Sequence, residues 1–271
     1  MPDHQTIGFI GAGNMATALI KGLLASGVAD STGLVAADKD EKALRRIGRD
    51  FGVRTCSCNT QAVSDSSVVV LAVKPQHVRG VLEEIREEMI PRRLLISIAA
   101  GIPVKTIQNI VGSRIPVIRV MPNTPALVQQ GVSALAAGES CTSDHMAVAK
   151  RIFGAVGETV EVKEDLMDAV TALSGSGPGY IFRIMECMAG AGVRVGLPEE
   201  TAYRLVVQSF LGAAYLAKTS DDSLEELRRK VTSPGGTTAA GLAVFDEKGL
   251  EDIITGAVRA AWTRSRDLAK E

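Results

Sequence analysis

A chain of 271 residues, 46% hydrophobic and 23% charged, holds enough apolar material for one large globular domain or two ordinary ones. Its 30 Lys and Arg balance 31 Asp and Glu, which leaves no basic footprint and excludes nucleic acid as a partner; the longest apolar runs are strand-length, so no membrane span is expected. Residues 1–5 lead straight into a strand without the basic and apolar regions of a secretory signal. Cys56, Cys58, Cys141 and Cys187 form no disulfide framework, and His4, His77 and His145 stand far apart, so the expectation is a cytoplasmic protein with no metal.

Thr6–Ile10 has the pattern of a buried strand, followed by Gly11-Ala-Gly-Asn-Met-Ala16 and a helical pattern from Asn14 to about Ser26. Strand, glycine turn and helix are the context of a G-x-G-x-x-A dinucleotide fingerprint. Gly11 makes the tight turn, Gly13 lets the backbone approach a pyrophosphate, and Ala16 allows close helix–strand packing. Ala12, Asn14 and Met15 share that loop and the helix N-terminus facing the phosphates. The second strand, Gly33–Ala37, ends at Asp38, the residue type that holds adenine ribose hydroxyls in such folds. Lys39 could instead pair with a 2′-phosphate, and Asp38 could simply cap the helix expected over Asp40–Arg49, so NADH and NADPH both stay open.

The rhythm continues with a short strand at Val53–Thr55, Asn59 as a cap for the next helical turn, and a buried strand at Ser67–Val73. A helix from Lys74-Pro75 to about Met89, a strand at Leu94–Ser97, a helix at Ile102–Ile110 and a strand at Ile115–Arg119 follow. Val132–Ala136, a helix over Ser143–Phe153 and Thr159–Val162 complete the pattern. Alternating strands and helices with short links predict a doubly wound, mostly parallel sheet over residues 1–162. In such sheets ligands lie beyond the C-terminal strand ends, which makes Ala72, Val73, Lys74 and Pro75, and Met121, Asn123 and Thr124 of the Met121–Pro125 loop, cofactor candidates beside Gly11–Met15.

From residue 163 to 271 helical periodicity dominates, with helices expected near Asp165–Leu173, Gly179–Gly192, Pro198–Lys218, Ser223–Lys230, Thr238–Glu247 and Leu250–Lys270. Leu205, Val206, Phe210, Ala213 and Ala214 form an apolar, small-residue stripe suited to burial against a neighbouring helix, and apolar faces on several helices of an elongated domain suit burial in a dimer. Between two of these helices stands Lys230-Val-Thr-Ser-Pro-Gly-Gly-Thr-Thr-Ala-Ala-Gly241, whose middle cannot be helical: Pro234 lacks an N–H, and Gly235 and Gly236 permit positive φ. With Thr237 or Thr238 as the next cap, the turn offers free N–H groups and two hydroxyls to an anion, or else merely connects two helices.

Taken together, Phe9–Ala16, Ala72–Pro75, Met121–Pro125, Leu173-Ser-Gly-Ser-Gly-Pro-Gly-Tyr180 and Ser233–Thr238 resemble, in order and over essentially the whole chain, the pyrroline-5-carboxylate reductases. Gly179 stands where the familiar motif has alanine. The resemblance implies an N-terminal Rossmann domain and a C-terminal all-α domain that intertwines with a second subunit, the homodimers being able to form decamers. It also implies reduction of the cyclic imine L-1-pyrroline-5-carboxylate to L-proline by NADPH or NADH. Backbone N–H groups of Ser233, Gly235, Gly236 and Thr237 would seat the substrate carboxylate, with Val231 also at the substrate; the resemblance assigns the Thr238 hydroxyl to the imine nitrogen. Two rivals are a β-hydroxyacid dehydrogenase or related imine reductase, and a non-catalytic dinucleotide sensor. The first group carries Lys-x-x-x-Asn on the helix after the sheet, where Gly179–Glu186 has no lysine; the one such match, Lys105 to Asn109, falls among the sheet's own helices.

Overall fold

The computed structural model describes residues 6–268; His4 and the last two residues of the expected terminal helix lie outside them. Two compact units emerge, one of residues 6–176 with 261–268, the other Gly177–Ala260.

The first unit holds eight strands: β1 (Ile7–Ile10), β2 (Leu34–Ala37), β3 (Arg54–Cys56), β4 (Val68–Leu71), β5 (Leu94–Ser97), β6 (Val117–Met121), β7 (Gly131–Ala137) and β8 (Gly157–Glu161). Their order in the single sheet is β3-β2-β1-β4-β5-β6-β7-β8. The first six are mutually parallel in the doubly wound order, β7 runs antiparallel to β6, and β8 pairs parallel with β7. Every residue of β1, β2, β4 and β5 is buried, as a strand covered on both faces requires.

The helices α1 (Asn14–Ala25), α2 (Glu41–Phe51), α3 (Asn59–Ser64), α4 (Pro75–Ile85), α5 (Val104–Val111) and α6 (Ser143–Gly154) supply that cover. Leu19, Ile20 and Leu23 of α1 share one core with Ile152 and Phe153 of α6. Val78, Leu82 and Ile85 of α4 share another with Ile107 of α5. Strand β4 is shorter than the expected Ser67–Val73, with Ala72 and Val73 passing into the following loop although the Ala72 N–H still donates to the Ile10 carbonyl. Strand β6 begins two residues later than expected, after Pro116, which has no N–H for the ladder.

The stretch expected as one helix near Asp165–Leu173 instead spans a 3₁₀ turn (Glu164–Leu166), the short α7 (Met167–Val170) and a π-helical turn (Thr171–Gly175). Thr171 Oγ1 and Ser174 Oγ donate back to the carbonyls of Met167 and Val170 at 2.8 and 3.0 Å, competition that widens a helix locally. Ser265, at the chain's end, donates to Asp168 Oδ1 at 2.7 Å and so fastens residues 261–268 to the same unit.

The second unit comprises α8 (Gly177–Arg194), α9 (Glu199–Thr219), α10 (Leu224–Lys230), α11 (Thr237–Glu247) and most of α12 (Leu250–Leu268). Helices α8 and α9 approach closely where a Cβ on Gly192 would stand 3.1 Å from Ala202 Cβ. Pro178 and Ala202 alone are buried among the described residues of this unit. The Leu205 stripe is only partly covered within the chain: Leu205 is 55% exposed and Ala213 and Ala214 are exposed with it, whereas Val206 and Phe210 are half-buried.

Candidate active site

The glycine turn sits where the strand order reverses, beyond the paired ends of β1 and β4, Ile10 facing Leu71. The Gly11 N–H donates to the Ala37 carbonyl at 2.7 Å and the Ala72 N–H to the Ile10 carbonyl at 2.8 Å, so the loops after β1 and β4 meet. Gly11 has φ +104°, and a Cβ there would lie 2.5 Å from the Ala72 carbonyl oxygen, so only glycine fits. Gly13 differs: it is the N-cap of α1, extended at φ −73°, and a Cβ on it would meet nothing within 4 Å. No side chain caps α1, so its first-turn N–H groups, at Asn14 and Met15, face open space as a pyrophosphate cradle requires.

Asp38 closes the rim of this turn. Its Oδ2 accepts from the Ala12 N–H at 2.6 Å and its Oδ1 from the Asp40 N–H at 2.9 Å. The capping alternative for Asp38 falls: Asp40 caps α2, accepting from the Lys42 N–H at 2.8 Å. Next to Asp38 opens a cleft of about 450 Å³ whose wall includes Gly11, Lys39, Asn59 and Val73 together with Gln76, His77 and Glu84. Asn59 is not the cap of α3; Cys58 holds that position without a side-chain bond, and buried Asn59 donates Nδ2 to Glu84 Oε2 at 3.0 Å. The second hollow, about 440 Å³ near Thr6, Gly52 and Arg54, lies at the strands' opposite ends, away from every candidate residue.

Lys74 is the N-cap of α4 and Pro75 its first residue, a placement that needs no N–H. Met121 ends β6 with its Cε where a Cβ on Gly175 would be, 2.5 Å away, and Thr124 opens a 3₁₀ turn. Asn123, expected at the cofactor, turns its carboxamide to the chain instead. Its Nδ2 donates to the Ser174 carbonyl at 3.2 Å and its Oδ1 accepts from the Val132 N–H at 2.9 Å, which fixes the loop after β6 to the π-helical turn.

The Ser233–Thr238 turn, expected to seat the substrate, belongs to the second unit. Ser233-Pro234-Gly235-Gly236 is a β-turn with proline at its second position and Gly235 at φ +70°, closed by the Gly236 N–H donating to the Ser233 carbonyl at 3.0 Å. Two expectations change here. The Gly236 N–H is engaged in the turn and is not available to an anion, whereas the N–H groups of Ser233, Gly235 and Thr237 have no backbone acceptor among the described residues. Gly236, not a threonine, is the N-cap of α11, its carbonyl accepting from the Ala240 N–H at 3.1 Å, which places Thr237 and Thr238 in the first helical turn. The Thr238 side chain is exposed, and among the described residues its hydroxyl makes no hydrogen bond. Val231, at the end of α10, is 63% exposed.

Sequence reasoning passed over or undervalued four residues. His77 and Glu84 line the cleft through the i, i+3 and i+7 spacing of α4 after Val73–Pro75, a signal legible once that strand end is taken as a ligand site. Glu226, taken for part of a solvated charge run, forms a capping box with Ser223, whose Oγ accepts from the Glu226 N–H at 3.2 Å while Glu226 Oε2 accepts from the Ser223 N–H at 2.8 Å. Trp262, expected as plain packing, carries Arg266 over its ring at 4.8 Å. Lys105 and Asn109 are exposed on α5, and α8 contains no lysine. A Cβ on Gly179 would meet nothing, so alanine and glycine are sterically equivalent there. Among the described residues no three His, Cys, Asp or Glu side chains converge, and no helix is long and apolar enough to cross a membrane.

Comparison with known proteins joins these parts. A family profile described as pyrroline-5-carboxylate reductase dimerisation matches residues 164–268, and one described as NADP oxidoreductase, coenzyme F420-dependent, matches residues 6–101. The chain is 43% identical to the pyrroline-5-carboxylate reductase of Pseudomonas aeruginosa, covering 98% of this chain and 97% of that protein. It is 40% identical to that of Methanosarcina acetivorans, covering 99% and 100%. The solved structure of a pyrroline-5-carboxylate reductase from Coxiella burnetii superposes with a TM-score of 0.94 at 38% identity, over 99% of this chain and 100% of that one. The Plasmodium falciparum enzyme with NADP bound gives 0.88 at 31% identity, over 98% of each. With near-complete coverage in both directions, the chain belongs to the pyrroline-5-carboxylate reductase family.

Proposed function

We infer that this chain reduces L-1-pyrroline-5-carboxylate to L-proline with NADPH or NADH, the closing step of proline biosynthesis. The observation that carries the reading is the Ser233–Thr238 turn. Among the described residues, three N–H groups without backbone partners and an unengaged hydroxyl stand at the start of α11, matching a small ligand with a carboxylate on one side and a ring nitrogen on the other. The bound dinucleotide supplies a hydride to the C=N carbon, and the nitrogen gains a proton. The cradle over Gly13 fits such a cofactor, because the space a Cβ would fill is open above uncapped helix N–H groups. Gly11–Met15, Asp38, Lys39, Asn59, Ala72–Pro75 and the loop from Met121 through Thr124 are proposed to hold it. Asn123 serves there by fixing its loop.

Ser233, Gly235 and Thr237 would anchor the carboxylate, with Gly236 shaping the turn and Val231 bordering the ring. The Thr238 hydroxyl orients the nitrogen by hydrogen bonding. A cyclic imine is basic enough to be protonated near neutral pH, so positioning, not a strong acid, carries the rate. The test is oxidation of NAD(P)H with pyrroline-5-carboxylate by the chain and by Thr238→Ala. A loss of turnover on the order of 10²-fold with unchanged dinucleotide affinity is expected; unchanged turnover would remove Thr238 from the mechanism.

We assign residues 163–271 to dimerisation and substrate binding, and residues 1–162 to the cofactor. The uncovered apolar helices support a homodimer, and the decamer of five such pairs is the larger assembly proposed, which light scattering distinguishes from a dimer. Free thiols at Cys56, Cys58, Cys141 and Cys187 fit a cytoplasmic setting.

A further inference from the structure

We propose that the acidic wall of the cleft beside the glycine turn makes this chain select NADH over NADPH, with Asp38 and Glu84 rejecting a 2′-phosphate and Asn59 acting as a positioning residue for Glu84. The inference rests on reading the cleft as the dinucleotide site. It deepens that reading by naming which dinucleotide the chain takes.

Asp38 is fixed. Its two oxygens take the Ala12 and Asp40 N–H groups at 2.6 and 2.9 Å, so the carboxylate cannot swing aside to admit a like charge without breaking both bonds and loosening the glycine turn. Each oxygen retains a further lone-pair site, which suits the two hydroxyl donors of an unmodified ribose. A 2′-phosphate offers only acceptors and brings about −1.5 to −2 charges.

Glu84 supplies a second carboxylate on the cleft wall. The buried Asn59 carboxamide, which could otherwise donate to a phosphate, points Nδ2 at Glu84 Oε2 at 3.0 Å. Against these two anchored carboxylates the cleft wall offers only Lys39, exposed on a four-carbon stem, and His77 as possible cations among the described residues. Rejection here works by an unfavourable charge pair more than by a favourable contact. For like charges about 5 Å apart, the effective dielectric of a protein surface puts the penalty between about fourfold and a few hundredfold in affinity.

The experiment titrates NADH and NADPH separately into the full chain and follows nicotinamide fluorescence, at low and at high salt, for the parent, Asp38→Asn and Glu84→Gln. We expect the parent to bind NADH at least about tenfold more tightly. Asp38→Asn should bring the ratio close to one, mainly by tightening NADPH, and Glu84→Gln should move it partway. High salt should shrink the parental ratio, because screening weakens charge repulsion and leaves steric exclusion untouched. That arm decides the question even if a variant fails to fold. Equal binding of both dinucleotides by the parent, a preference for NADPH, or a ratio indifferent to salt and to both substitutions would overturn the proposal. If the parent binds neither dinucleotide, the cofactor reading of the cleft fails first, and this inference with it.

Discussion

Two glycines two residues apart separate folding from binding. At Gly13 the backbone is extended, with φ −73° and ψ −173°, and an added Cβ meets no protein atom within 4 Å. Replacing it by alanine narrows the unfolded ensemble, worth about 0.4–1 kcal/mol, and loses glycine's advantage over alanine as an N-cap, worth about 0.5 kcal/mol. Gly13→Ala should therefore melt within about 2 °C of the parent. At Gly11, φ is +104° and the new methyl would stand 2.5 Å from the Ala72 carbonyl oxygen and 2.8 Å from its carbon. Both neighbours are backbone of the loop that completes the site, so strain and overlap together should cost about 3 kcal/mol or more. The Gly13 methyl would enter the open space proposed for a pyrophosphate, and dinucleotide affinity should fall at least about tenfold there with the fold intact. Thermal melts paired with fluorescence titration of NADH and NADPH read both effects. A Gly13→Ala chain with parental affinity for both dinucleotides would refute the cradle; a Gly11→Ala chain as stable as the parent would refute the contact geometry.

Three further outcomes follow from the geometry. Gly235→Ala forces a Cβ into φ +70° and should cost about 1–2 kcal/mol, appearing in kinetics as a raised KM for the imine with unchanged dinucleotide affinity. The hydroxyl of Thr60 and the backbone N–H groups of Gln61 and Thr60 hold the Cys58 thiol below its usual range, whereas burial pushes Cys141 up. Thiolate fraction grows as pH rises through each value, so alkylation followed by peptide mass spectrometry should mark Cys58 at lower pH than Cys141, and the reverse order would contradict the assigned partners. Leu211→Glu, on a residue 62% exposed, should convert the dimer to monomer in light scattering while leaving the sheet unit's dinucleotide affinity in place.

The sheet was legible because its parallel strands are covered on both faces. Val68–Leu71 and Leu94–Ser97 are unbroken apolar runs, and the glycine turn fixes which strand comes first. The reversal of β7 was not legible, since an apolar strand encodes burial and not direction. The site was legible as loops and blurred at single side chains. Asp at the end of β2 suits a ribose ligand, a helix cap and a turn clamp alike, and only the bonds to Ala12 and Asp40 separate these roles. The Asn59–Glu84 pair joins residues 25 positions apart through the packing of α3 near α4, which no local pattern reports. At the Ser233–Thr238 turn, proline and two glycines announce a bend, but not that closing it consumes the Gly236 N–H.

The helical unit makes the strongest physical case for a partner. Ordering one residue's backbone costs about 1–2 kcal/mol, and burial must offset that cost. The sheet unit meets the requirement with fully buried side chains from Phe9 to Phe153. Among residues 177–260 only Pro178 and Ala202 are buried, while Phe182, Leu205, Leu211 and Tyr215 are each more than half exposed. The proposed substrate turn, with its exposed Gly235 at φ +70° on so sparse a core, could not hold three N–H groups and a hydroxyl in fixed register. Covering the apolar faces of α8 and α9 with a second copy removes both difficulties at once. Catalysis and assembly are then one requirement: a monomeric Leu211→Glu chain should keep its dinucleotide and lose its turnover, even though residue 211 lies well outside the Ser233–Thr238 turn in sequence.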